Sequence, residues 1–581
     1  MLRSVFSHPR FSLVTGLCAL PLLAACPGPQ GDGDDEASSN DSSSDNSDNE
    51  VTSDDSPQII CIPGETRCAD AGTLETCAPT GLSWDKSFCG PNDTCMACAE
   101  DDPECTGAWC AGPCEITDEL PSSAGCSFYA AGMLINTAAD GVADAVVIGN
   151  PSEDKVATVQ RFLIPIGSNL EEPTEDPVEI APGETHVFLF EADLTENKNN
   201  GAGTSKYQSG GMYHFVSDLP VIAYQHSPFQ ETATNESSLL LPEDSARQDF
   251  VIFAYDPYGE PSYFNVIALE NQTTVWWTPT IETAGNNLPL PFVNVGETGE
   301  YTINRHDVMR IAASANLGAP EYEQDLSGTV VWSDKPVLIM AGVVGIKVPY
   351  CLAGSQSMPM GCWGTADHVQ EQVIPLDYWG EEYVCAHSPV RAQEDHYWRV
   401  FAGDDNVTVT ADPPIPGSPF NFAKRGDWIE FNVPNGTNFV LTGDGPFMPV
   451  QYTAQHLLAG GIGDAAMYQM IPTAQFLERY LFVTASGYDR DYVQVIRTAG
   501  AADVVLDGTV VGGYEMVGNY EVATVQIAEG AHDIRSTDPF GILQVGYEDA
   551  IYPNGLDKGA THYPAAYGYP GGMKVEQIFI P

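Results

Sequence analysis

Basic residues are scarce in this 581-residue sequence: 23 Lys and Arg stand against 80 Asp and Glu, a formal charge of −57. A surface that acidic repels phosphate backbones and anionic lipid head groups, which argues against nucleic acid as a partner. Long apolar runs are missing too. Beyond the first 25 residues nothing reaches the ~18 consecutive apolar residues of a membrane-crossing helix. Helical periodicity is nearly absent, and only Thr473 to Arg479 could wind a turn or so. There is no Gly-x-Ser-x-Gly elbow, phosphate loop, dinucleotide fingerprint or His-Glu-x-x-His. No cofactor is implied. What is plentiful is glycine (55) and proline (43), in a composition 43% hydrophobic and 10% aromatic. That is material for short strands, many turns and real cores.

The N-terminus carries an export signal. Arg3 and Arg10 give a positive region before an apolar stretch from Phe11 to Leu23 that is too short to span a bilayer. It ends in Leu23-Ala24-Ala25-Cys26, which resembles the lipobox of bacterial lipoproteins. The resemblance implies removal of residues 1–25, diacylglycerol on the Cys26 thiol and acylation of the new amino terminus. Several acyl chains anchor stably where one binds only marginally, so the membrane is a partner through the lipid alone. By the same resemblance Pro27 after the cysteine favours the outer membrane, and the expected location is the bacterial cell envelope, exposed at the surface. Residues 26–57 are mostly Ser, Asp, Asn and Gly, without Lys or Arg, and cannot bury enough apolar surface to order. They read as a flexible spacer.

Residues 58–120 read as a small module held by disulfides. Ten cysteines fall between Cys61 and Cys126: Cys61, Cys68, Cys77, Cys89, Cys95, Cys98, Cys105, Cys110, Cys114 and Cys126. In an exported chain this density means staples in place of a core. Cys95 and Cys98 have zinc-ligand spacing, but they are the single such pair and the segment has no histidine. No metal is expected, and connectivity stays open. Cys351 and Cys362 make the simplest remaining pair, which leaves Cys385 unassigned.

The rest repeats. Four segments share an Asp–Pro turn followed by an apolar strand: Ser217-Asp218-Leu219-Pro220, Ser333-Asp334-Lys335-Pro336, Gly443-Asp444-Gly445-Pro446 and Thr537-Asp538-Pro539. Asp suits a turn because its carboxylate can bond the backbone two residues on, and Pro presets φ. A second landmark keeps step: Leu241-Pro242, Ile374-Pro375 and Ile471-Pro472 are each followed by an aromatic that opens a strand, Phe250, Tyr383 and Tyr480. Val504 to Val510 has Asp507-Gly508 between β-formers, a hairpin signal. The expected fold is all-β: tandem antiparallel sandwich-like modules at 121–235, 236–372, 373–470 and 471–581, preceded by the disulfide-rich module. Modules in series suggest a rod, or close-packed neighbours.

On Gly125-Cys126-Ser127-Phe128-Tyr129, Ser333-Asp334-Lys335-Pro336-Val337, Asp367-His368-Val369-Gln370-Glu371-Gln372, Trp379-Gly380 and the closing Tyr567-Gly568-Tyr569-Pro570-Gly571-Gly572, the chain resembles the IgGFc-binding protein N-terminal domain family. The resemblance covers residues 121–581 and implies extracellular recognition of a protein or glycan. Cys362 lies farther from Asp367 than that pattern places its cysteine.

Asp367, His368 and Glu371 form the best ionisable cluster, conceivable for metal or acid–base work and read first as structural hydrogen bonding. His226 and His456 echo one another after the repeated strand. Asp404 and Asp405 sit in an acidic turn that lacks a full calcium pattern. Trp276 and Trp277 could stack on sugars or pack inside. The leading expectation is a lipid-anchored adhesion or recognition protein that is not an enzyme. The alternatives are a secreted hydrolase using Asp367, His368 and Glu371, and a structural envelope protein.

Overall fold

The computed structural model describes residues 59–89, 93–97, 107–114, 122–135, 143–191, 194, 204–229, 234–285, 289–314, 324–350, 364–550 and 564–581. Cys26, the signal and spacer segments, Cys98, Cys105, Cys351 and Cys362 lie outside the described residues. No helix among the described residues is long and apolar enough to cross a membrane.

In the cysteine-rich segment Thr66–Asp70, Thr73–Cys77 and Trp84–Phe88 form an antiparallel meander, and Thr94–Ala97 pairs with Ala108–Ala111. Ile59, Ile62 and Phe88 stay exposed, so apolar burial is thin here and covalent links compensate. Among the described residues three bridges are internal: Cys61–Cys77, Cys68–Cys95 and Cys89–Cys110. A fourth, Cys114–Cys126, ties the segment to the first β copy. Cys95 and Cys110 face each other across their ladder, yet each bonds a different partner. Cys385 remains a thiol, buried in the strand Glu382–Cys385.

From residue 122 onward one antiparallel sheet plan is used four times. Each copy is organised by a long strand: Met212–Ser227, Val330–Ile346, Phe439–Gly443 continued by Phe447–Tyr452, and Ala531–Tyr547. Its first half pairs with the strand that opens the copy, Gly125–Ala131, Arg247–Val251, Glu382–Cys385 or Leu477–Val483. Its second half pairs with Ala145–Gly149, Tyr263–Ala268, His396–Ala402 or Arg490–Thr498. One strand therefore serves two sheet segments.

The Asp–Pro landmark departs from expectation. In copies one, two and four it does not turn the chain between strands. The long strand runs through it, with residues 217–220, 333–336 and 536–539 pushed out of register. Proline has no N–H to give a ladder, so it falls where the ladder is already broken. Nor does the aspartate bond its own loop two residues on. Asp218 accepts the Thr158 amide at 2.6 Å, Asp334 that of Thr274 at 2.7 Å, Asp444 that of Thr408 at 2.6 Å and Asp538 that of Ala502 at 2.8 Å. In copies one to three the carboxylate pins the neighbouring strand to the break, and in copy four it pins the segment leading into Val505–Leu506.

The second landmark is a single 3₁₀ turn after the proline, at Glu243–Ser245, Leu376–Tyr378 and Thr473–Gln475. The aromatics that follow, Phe250, Tyr383 and Tyr480, are buried, and Phe128 holds the same place in copy one. Asp507 and Gly508, at φ 48° and 78°, make the two-residue hairpin turn that their sequence signals.

The copies do not run in line as a rod. A short inner strand closes each one: Glu236–Leu240, Asp367–Gln372, Met467–Gln469 and Ala566–Pro570. Each inner strand packs on the next, and the fourth packs back on the first. The circle is tied where Ser123 and Met573 exchange backbone and hydroxyl hydrogen bonds. One hydrophobic cluster accordingly extends from Val147 to Val575. Closing the circle buries the apolar ends that a row of copies would leave open.

Candidate recognition surface

The inner strands carry Asp367, His368 and Glu371 into the middle of the circle, where all three are fully buried. Glu371 accepts Ser238 Oγ at 2.9 Å and Gln469 Nε2 at 3.2 Å, so it links copies one, two and three. Gln469 also donates to the Gln372 carbonyl at 2.6 Å and accepts the Ile374 amide at 3.1 Å. Asp367 accepts the amides of Asn235 and His368, each at 2.9 Å. His368 Nδ1 lies 2.9 Å from the Val343 carbonyl. Glu236 belongs to the same knot, though its sequence context gives no hint of it. Its carboxylate accepts Met467 N at 2.8 Å and Gly568 N at 3.0 Å, joining copies three and four to copy one. Burial drives the carboxyl groups of Glu236, Asp367 and Glu371 well above the usual range. The knot orders strands.

His226 is buried beside Ser237 Oγ at 2.6 Å, and burial pulls its imidazole down to about 3. His456 faces Asp464 at 3.2 Å. Asp404 and Asp405 form the turn after His396–Ala402, where Asp405 accepts the Arg425 amide at 2.9 Å. Among the described residues no group of three or more His, Cys, Asp or Glu side chains is placed to hold a metal ion.

Two further clusters escape sequence reading because their members are scattered along the chain. Arg399 is buried between copies two and three, bonded to Asp256 at 2.7 Å, Asp325 at 2.6 Å and Glu430 at 2.9 Å. The Trp428 ring lies against its guanidinium at 4.2 Å. In copy one Ser127 Oγ, His214 and Glu171 stand in the order of a nucleophilic relay, at 2.8 and 2.9 Å. The serine hydrogen, however, goes to Glu243 Oε2 at 2.6 Å. A hydroxyl committed to a carboxylate cannot hand its single hydrogen to the imidazole. Tyr129 stacks on His214 at 4.2 Å, and His306 comes within 3.2 Å of Glu171, so the group clamps copy one to copy two.

The outer face of copy two is different in kind. Strand alternation splits the Trp276-Trp277 pair: Trp277 is fully buried, while Trp276 is half-buried and directed outward. Register places Asp249, Trp332, Trp276 and Glu300 in one row across four strands. The two indoles are near parallel, 16° apart with centroids separated by 6.3 Å. Trp276 Nε1 donates to Glu300 at 2.8 Å, and Arg425 holds Asp249 at 3.2 Å. Hydroxyl pairs border the row, Thr274 with Thr302 and Thr278 with Thr298.

A family model described as IgGFc binding protein matches residues 236–546, more than half of the chain. The chain belongs to the IgGFc-binding family. The family match opens on the first residue of the inner strand of copy one and ends at Gly546, inside the last long strand. A human relative named IgGFc-binding protein is 24% identical over 290 residues, which is 46% of this chain and 5% of that protein. The chain thus matches a small part of that relative's length.

Proposed function

We propose that this IgGFc-binding family member is a lipid-anchored protein of the bacterial cell envelope that recognises an extracellular protein or glycan and performs no chemistry on it. The carrying observation is the division of polar groups between inside and outside. The ionisable cluster best suited to catalysis, Asp367, His368 and Glu371, is fully buried and spent on joining copies. The outer face of copy two instead offers aromatic and carboxylate groups to solvent. The family and the name of the human relative point the same way. Cys26 supplies the anchor, and the spacer after it gives reach. A hydrolase built on Asp367, His368 and Glu371 would need substrate inside the central knot.

Metabolic labelling with a fatty-acid analogue should mark the product in a Cys26-dependent manner. Externally added protease should then degrade it on intact cells. Full-length protein immobilised through its C-terminus should retain a specific extracellular protein or glycan. Unlabelled, protease-shielded product would overturn the anchored, displayed part of this reading. Turnover of a substrate that disappears in a folded His368→Ala variant would overturn the non-catalytic part.

A further inference from the structure

We infer that the row Asp249–Trp332–Trp276–Glu300 is a binding site for a neutral oligosaccharide; this rests on the recognition reading and deepens it. The fold does not require these aromatics. At the positions that pair in the same way, copy one has Ser127, Val216 and Gln160, copy three has Glu382, Thr442 and Thr410, and copy four has Arg479, Arg535 and Val505. Three copies build the same ladder without a ring in the row. Copy two places two indoles there, each partly exposed, and Trp276 is held from the edge by its hydrogen bond to Glu300.

The chemistry suits a sugar. Near-parallel indole faces accept the C–H face of a pyranose, while carboxylates at the two ends of the row accept its hydroxyl hydrogens. Four neighbouring strands give the row a length of about 14 Å, enough for a short oligosaccharide. Two half-buried rings bounded by threonine pairs fall well short of the roughly 800 Å² per partner that a stable protein interface covers. Charge fixes the class. Glu300 at one end, in a molecule of formal charge −57, repels sulfated and uronic-acid polymers, the Arg425–Asp249 pair at the other end is self-neutralised, and a neutral chain carries no such penalty.

The test uses the full-length protein against immobilised neutral oligosaccharides (cello-, manno- and chito-oligomers), with heparin as the anionic comparator. Binding to at least one neutral series is expected, with none to heparin at physiological salt. Trp276→Ala or Trp332→Ala should weaken it roughly tenfold, the worth of one aromatic contact. Glu300→Gln should weaken it less, and Trp276→Phe should retain part of it if the alanine variants unfold. Retention of heparin alone, no neutral binding, or neutral binding unchanged in the folded variants would each overturn the site. Capture of a protein ligand that survives Trp276→Ala, without glycan binding, would overturn the sugar site and leave the recognition reading standing.

Discussion

Arg399 is a fully buried cation facing three carboxylates, with the Ala254 carbonyl and Ser327 hydroxyl taking further donors at 3.1 and 3.0 Å. Its side chain is satisfied, and so are the acids around it. Removing one member of such a group leaves uncompensated charge in a dry place, which costs more than the pair contributes. Arg399→Met should therefore lower stability by about 3–5 kcal/mol, read from urea unfolding. A loss below 1 kcal/mol would show that water reaches the site. Nothing in the sequence around Arg399 announces this, because Asp256 and Asp325 come from copy two. Cys385 is the opposite case, a residue that cysteine counting isolates and the structure explains. Burial raises its thiol well above the ordinary range, so it is neither nucleophilic nor accessible. Maleimide should leave it unmodified in native protein and label it once urea unfolds the chain.

At the scale of elements, the landmarks that repeat in sequence are points where a strand is interrupted. The Asp–Pro signal marks a break in a ladder as faithfully as it would mark a loop, because proline avoids a paired position in both. Local chemistry cannot tell the two apart. The difference lies in the partner of the aspartate, and Thr274, sixty residues before Asp334, is beyond the reach of any local rule. Asp334→Ala should cost about 1 kcal/mol by leaving the Thr274 amide without its acceptor. Asp444→Ala should cost a similar amount in copy three, since the geometry is the same. Hydrogen exchange at Thr274 and Thr408 provides the local readout, and unchanged protection would remove the pin from the account. Strand existence, the hairpin at Asp507-Gly508 and the stapled module were all legible, since each depends on neighbours in sequence. Disulfide pairing was not, because Cys95 and Cys110 sit opposite one another without bonding. The circle was not legible either, because Glu236 meets Met467 and Gly568 only after four copies have folded.

Among the described residues some carboxyl groups are exposed and others are fully buried. Glu236, Asp367 and Glu371 lie at the centre with their carboxyl groups raised by burial, and Asp491 in copy four is pushed up to about 7 by burial. A carboxyl group with a folded pKa above its unfolded one binds more protons folded than unfolded. Its stabilisation is complete below the unfolded value and fades as pH rises through the folded one. His226 and His396, both drawn down to about 3 by burial, act in the other direction. Their contribution is present above about 6.5 and is lost as pH falls toward their folded values. Lowering the pH from 8 should thus first raise the melting temperature, as the central acids dominate, and then lower it as the histidines are forced to charge. Asp491 reports on one part of that curve, because burial raises its carboxyl against the Tyr567 hydroxyl at 2.6 Å and the Gln544 side chain, both of which favour its charged form. In Asp491→Asn the rise in melting temperature between pH 8 and pH 5 should be shallower than in the parent, with the two curves parting near pH 7. Parallel curves across that window would mean that Asp491 is charged in the folded protein, and that the interior tolerates negative charge without a proton.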